Sequence, residues 1–191
     1  GGRIVSSQLN RPKPDQTTGT ISFEVAADKA EVLLAAVRGN GDVMRMEVTQ
    51  NPDTQNVTEA KRGFAIQVFS LASVAPRETT TLQIAASSVS DAFNKLLEAA
   101  KAGGGRIITS QLNEQDLNNV TAQLDFDVMR DQWGSVEAAL RQAGLVVTRT
   151  VARTPDAENT VDSKVRLQIG LFDTARLQPR ETITLTVATR T

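Results

Sequence analysis

Apolar residues recur along this chain at two alternating periods. Ile21, Phe23 and Val25 fall on one face of residues 18–25 at a spacing of two, as in a half-buried strand. Ala30, Leu33, Leu34 and Val37 follow at helical spacing. Asp28, with Glu31 three residues on, reads as the N-cap and capping-box partner of that helix, and Gly39-Asn40-Gly41 closes it. Strands are expected over 3–9 and 43–48, and again where Phe64, Ile66 and Val68 alternate with Ala65 and Gln67. Arg11-Pro12-Lys13-Pro14-Asp15 and Asn51-Pro52-Asp53 break the pattern as turns, since proline has no donor for a ladder. Residues 80–85 form the next strand. Ser88 then caps a helix, with Asp91 as its acidic partner and Phe93, Leu96, Leu97 and Ala100 as its apolar stripe. Gly103-Gly104-Gly105 ends it. The pattern then returns as strands 106–112 and 120–128, helix 131–143, and strands 145–151, 164–172 and 182–189.

The return keeps a fixed offset of 103 residues. Pro76-Arg77-Glu78-Thr79, with Leu82 and Ile84, becomes Pro179-Arg180-Glu181-Thr182, with Leu185 and Val187. Gly1-Gly2-Arg3-Ile4 becomes Gly104-Gly105-Arg106-Ile107, and Ser7-Gln8-Leu9-Asn10 becomes Ser110-Gln111-Leu112-Asn113. Ile21, Phe23 and Val25 become Leu124, Phe126 and Val128. Pro52-Asp53, Lys61 and Phe69 become Pro155-Asp156, Lys164 and Phe172. No gap interrupts the phase, so the chain is read as a tandem duplication of domain-sized units. Residues 87–102 have no upstream counterpart. The first unit is therefore entered partway through, as expected of a piece of a longer protein or of a unit whose first elements come from elsewhere.

Residues 80–151 read strand, helix, strand, strand, helix, strand, the ferredoxin-like split βαβ order, with both helices on one sheet face. The expected fold is α+β: tandem duplicated ferredoxin-like units, each with an additional strand, with circularly permuted or overlapping boundaries. The expected domains are 1–87 and 104–191, joined by the helix in 88–103. Strands 79–85 and 182–188 would then each complete the sheet of their own preceding strands. The competing arrangement is one complete domain over 79–152 with ragged flanks that pair with another molecule.

Composition narrows the chemistry. At 191 residues and 40% apolar content the chain can fill two modest cores, and with aromatics at 4% the filling falls to Leu, Ile, Val and Ala. A net charge of −1 without a basic block gives little electrostatic attraction to nucleic acid or anionic lipid. The sequence has no Cys, His or Tyr, which removes disulfides, thiolate sites, the usual general base and ordinary serine triads. No run reaches membrane-span length, and no signal peptide is visible in this piece.

The candidate sites each have a plainer reading. Arg62-Gly63-Phe64-Ala65-Ile66-Gln67-Val68-Phe69 approximates an RNA-binding signature in which strand aromatics stack on bases. Gln67 takes a usually apolar place, however, and the second copy lacks the glycine and the first aromatic. Nucleic-acid binding by tandem ferredoxin-like domains is therefore the alternative function. Asp125 and Asp127 share a strand face and form a candidate carboxylate pair, against the plain reading of a solvated face. Asp53 and Asp156, beside prolines, suit turns better than a cation site. Trp133 replaces Ala30 on a core-facing stripe. Arg77-Glu78 and Arg180-Glu181 are the candidate partner-docking points. The alternative for them is an ion pair on the turn or one that braces a neighbouring strand. No catalytic residues, cofactor or metal are expected.

Thr81-Leu82-Gln83-Ile84, the helix and Gly104-Gly105-Arg106-Ile107-Ile108-Thr109-Ser110 resemble the first half of a bacterial extracytoplasmic domain family of unknown function. Residues 19–29 and Asn56-Val57-Thr58-Glu59 resemble its second half. That family occurs in predicted lipoproteins and in membrane-anchored proteins similar to anti-sigma factors. The resemblance implies a non-enzymatic, extracytoplasmic (periplasmic or cell-surface) protein-interaction or spacer module, such as the outer region of a membrane-anchored regulator. Its expected partners are a protein or a second copy, with no nucleic acid, and any membrane contact comes through an anchor outside this chain. The family continues after its valine-threonine-glutamate step into a long charged helix. Here a strand is expected instead.

Overall fold

The structure, a computed structural model, describes residues 2–13, 16–52, 55–116, 119–154, 157 and 159–187. The elements in order are β1 (Arg3–Asn10), β2 (Thr18–Ala26), α1 (Ala30–Asn40), β3 (Lys61–Phe69), β4 (Ala75–Ala86) and α2 (Val89–Ala102). They continue with β5 (Arg106–Asn113), β6 (Thr121–Met129), α3 (Trp133–Ala143), β7 (Leu145–Arg153) and β8 (Thr160–Asp173). The fold is α+β, with a three-stranded sheet in the order β1-β2-β3 and a five-stranded sheet in the order β5-β6-β8-β4-β7. The chain divides into two compact units, Gly1–Glu78 with Arg153–Val165, and Thr79–Ala152 with Arg166–Thr191. This division falls at 78/79, whereas the pattern alone suggested 1–87 and 104–191. β4 follows β3 in the chain but pairs with β8 and β7 rather than with β1–β3.

The offset of 103 residues reappears in the backbone. β1, β2 and α1 begin and end 103 residues before β5, β6 and α3. Arg3 pairs with Glu24 and Asn10 with Thr18, just as Arg106 pairs with Asp127 and Asn113 with Thr121. Both ladders are antiparallel, and each has a register shift at the same place, between Ile4 and Ser6 and between Ile107 and Thr109. A bulge kept at one position in two copies is a built feature of the strand.

Two stretches that match in pattern do not match in structure. The 43–48 segment, counterpart of part of β7, forms no strand. β7 is an edge strand whose neighbour is β4. No counterpart of β4 stands beside β3 among the described residues, so 43–48 has no ladder to join. For the same reason β3 starts at Lys61, whereas β8 starts at Thr160, the counterpart of Val57. The strand expected over 182–189 is also absent across 182–187, and residues 188 and 189 lie outside the described set. Alternating apolar residues favour a strand, but only a partner supplies the hydrogen bonds.

In the second unit the pattern encloses a core. Leu82, Ile84, Leu124, Phe126, Val128, Leu167, Ile169 and Leu171 from the sheet meet Phe93, Leu96, Val136 and Leu140 from α2 and α3. Ser88 Oγ accepts the Asp91 N–H at 3.3 Å, the expected N-cap. Leu96 is at the centre of the α2 stripe, with 1% of its surface exposed, and Leu97 sits only half-buried at its margin. Trp133 packs against this core as expected, with the Arg149 guanidinium 5.8 Å from its ring centroid.

The three-stranded sheet closes no comparable core. Ile21, Phe23, Phe64, Ile66, Leu33 and Leu34 are half-buried, while Ile4, Leu9 and Val68 are exposed. Asp28 does not cap α1. It lies within a 3-10 turn, Ala27–Lys29, and the helix starts at Ala30 with no side-chain cap.

Candidate functional site

Three surfaces carry the residues singled out by sequence. The first is the face of the five-stranded sheet opposite α2 and α3. Alternation puts Thr81 and Gln83 of β4, Gln123, Asp125 and Asp127 of β6, and Arg166, Gln168 and Gly170 of β8 on this face. There all of these but Asp127 and Arg166 border an open concavity of about 860 Å³. Asp125 and Asp127 are buried, at 9% and 4% exposure, which corrects the reading of a solvated strand face. Asp127 accepts a two-point contact from Arg166, Nε to Oδ1 at 2.8 Å and Nη2 to Oδ2 at 3.3 Å. The guanidinium is thereby held above its ordinary pKa, first by this hydrogen bond, against burial and with help from the charges of Asp127 and Asp125. A raised cationic pKa gives stability that is present below the unfolded-state value and lost only as pH climbs through the folded one. The Arg166 guanidinium therefore introduces no pH dependence near neutrality. Asp125 Oδ2 accepts from Gln123 Nε2 at 3.3 Å, and its buried Oδ1 has no partner among the described residues. Thr81 Oγ1 donates to Gln168 Oε1 at 3.3 Å. This surface presents the side-chain amides of Gln83, Gln123 and Gln168 around the concavity.

The second surface holds Arg77 and Glu78. Arg77 is not a free docking point. Its Nε donates to Thr160 Oγ1 at 3.0 Å and its Nη1 to Asp162 Oδ2 at 3.3 Å, while Arg153 Nη2 holds Asp162 Oδ1 at 3.0 Å. Thr160 Oγ1 in turn donates a hydrogen bond to the Ala157 carbonyl at 2.6 Å. Arg77 therefore braces β4 against β8, and Glu78 is half-buried and engaged as well. Arg180 and Glu181, their counterparts, are exposed in a stretch with no regular structure. Structure thus separates what sequence had paired. One copy of the motif is occupied within the fold, and the other is presented to solvent.

The third group is apolar, and its two parts belong to different units, each taken by itself. Beyond Arg180-Glu181, Ile183, Leu185 and Val187 are 79%, 81% and 78% exposed, although Leu82 and Ile84, the counterparts of the last two, are 3% and 0% exposed. β3 forms one margin of its sheet, and its outer edge carries no strand among the described residues. Phe64 stacks on Phe23 at 5.5 Å between centroids, so it is committed to its own sheet rather than standing clear for a base. Asp53 and Pro155-Asp156 lie outside the described residues. No group of three or more Asp or Glu among the described residues is placed to hold a metal ion.

Sequence reasoning missed Lys164. It is 3% exposed, and its Nζ donates to the carbonyls of Leu71 at 2.8 Å and Ala72 at 3.4 Å. Its counterpart Lys61 pairs with Glu24 at the surface. Nothing in the local sequence distinguishes the two lysines. Compared with known proteins, the chain matches no family model, no curated protein and no solved structure.

Proposed function

We propose that this chain is a non-enzymatic protein-interaction module whose docking surface is the three-stranded sheet, above all the outer edge of β3. The observation that carries this is the contrast across the offset. Leu167, Ile169 and Leu171 of β8 are buried by β4, α2 and α3, whereas Phe64, Ile66 and Val68 of β3 remain half-buried or exposed. An apolar strand with an open edge invites an added strand, whose backbone bonds give affinity and whose alternate side chains give specificity.

The units are read as tandem ferredoxin-like folds. The order β4-α2-β5-β6-α3-β7 supports this, with β8 as the additional strand set between β6 and β4. The family resemblance of residues 19–29 and 81–110 supports an extracytoplasmic setting, as the outer part of a membrane-anchored regulator. No helix among the described residues is long and apolar enough to cross a membrane, so an anchor in this reading lies outside the chain.

The test uses a synthetic peptide of residues 75–102, the strand and helix that cover β8. Added to the dilute chain, it should slow hydrogen exchange across 61–69. Unchanged exchange there at saturating peptide would remove β3 as a docking surface.

A further inference from the structure

We propose that the outer edge of β3 receives residues 180–187 of a second copy of this chain, as an added strand that repeats the β8–β4 pairing found within one chain. This rests on reading β3 as an interaction edge, and names its occupant.

The chain contains its own template. β3 is the 103-offset counterpart of β8, and 180–187 is the counterpart of 77–84. Within one chain β4 lies beside β8. Arg77 meets Asp162, Thr81 meets Gln168 and Gln83 meets Gly170, so partner numbers rise together and the two strands run in the same direction. Shifted by the offset, these pairs become Arg180 with Glu59, Thr184 with Ala65, and Thr186 with Gln67. Charge complementarity survives the shift, because Arg180 and Glu59 are opposite in sign and both exposed. Size complementarity survives as well. Gln83 lies over a glycine, where an added Cβ would sit 2.5 Å from its Oε1. In the shifted pair the large amide, Gln67, belongs to β3 and the small Thr186 to the incoming strand. Ile183, Leu185 and Val187 would meet Phe64, Ile66 and Val68, and both sets are half-buried or exposed at present.

The connection rule favours a second copy over closure on the same chain. β4 follows β3 directly, yet does not fold back on it; it joins the next sheet along the chain. Residues 180–187 follow β8 in the same way, so by the same rule they would join a sheet other than the one they follow, which the β3 edge of a second copy supplies. Such a contact uses two different patches, so it either closes by reciprocal exchange between two copies or propagates into larger rings or open arrays.

Sedimentation velocity of the 191-residue chain over a concentration series, with hydrogen exchange across 61–69, tests this. The chain should associate as its concentration rises and protect 61–69 as it does so. Leu185→Asp should weaken association at least tenfold. It alters a segment that is exposed in the fold, and unchanged exchange in β8 will show that the variant is folded. Arg180→Glu and Glu59→Arg should each weaken association, and the double reversal should restore it. A chain that stays monomeric with 61–69 unprotected would overturn the proposal, and if peptide 75–102 still protects β3, the docking surface itself survives. Association indifferent to Leu185→Asp and to the charge reversals would also overturn it, since the occupant would be another segment. So would a monomer whose 61–69 protection is lost in Leu185→Asp, which would place the strand in its own chain.

Discussion

Phe23 and Phe126 hold the same place in two sheets, opposite Ile4 and Ile107 across equivalent ladders. Phe126 is wholly buried, while Phe23 is half-exposed. The difference does not come from the local pattern, which the two copies share. It comes from β4 and α2, which cover the β8 side of one sheet and have no counterpart beside β3 among the described residues. Alternation therefore marks where a core can form, and burial depends on a strand and helix distant in sequence.

Cavity-making substitutions should show this contrast most strongly. Phe126→Ala should cost about 3–5 kcal/mol, as for a fully buried aromatic, and Phe23→Ala about 1–2 kcal/mol. Equal losses in chemical denaturation would break the comparison. The polar pairs come next. Asp127→Ala strands Arg166 beside a buried site and should cost about 2–3 kcal/mol, at the low end for a broken buried pair because a third of the Arg166 side chain reaches water. Its counterpart Glu24 pairs with Lys61 at 3.2 Å in the open, so Glu24→Ala should change stability by less than about 1 kcal/mol.

A smaller effect separates two glycines. Gly144 has a φ of +157°, and an added Cβ would lie 2.3 Å from the Ala85 carbonyl oxygen of β4. Gly41, its counterpart, is extended and meets nothing within 4 Å. Gly144→Ala should destabilise by about 1–3 kcal/mol, and Gly41→Ala should stay within about 0.5 kcal/mol. A measurable penalty at Gly41 would mean that a strand stands beside it, as β4 does beside Gly144, and would sharpen the search for its source.

These contrasts also show what the sequence could and could not convey. The offset placed β1 with β5, β2 with β6 and α1 with α3, because each of these is set by local alternation and helical spacing. The Ser88 cap and the α2 stripe were legible for the same reason, and within that stripe Leu96 lies at the centre and Leu97 at the margin. The insertion of β8 between β6 and β4 was not legible, since strand order depends on contacts between residues 39 apart for β6 and 85 to 87 apart for β4. Nor was the failure of 43–48 to form a strand, because its own residues resemble those of β7 and only the missing neighbour differs. Asp127 looked solvated for a related reason: Arg166, which neutralises it, reaches it only once β6 and β8 are adjacent. Among the candidate docking residues, Arg77 was tied down by Asp162 across the same kind of long-range contact, while Arg180 remained exposed.

Native-state hydrogen exchange on the dilute Leu185→Asp variant tests the central contrast most directly, because it compares the two copies within one molecule. The amides of Leu167, Ile169 and Leu171 should be protected about 100-fold or more beyond those of Phe64, Ile66 and Val68, the ratio for a gap of ~3 kcal/mol in opening free energy. Equal protection of the two sets would show that β3 is as well covered as β8, and would contradict the open edge on which the proposed function depends.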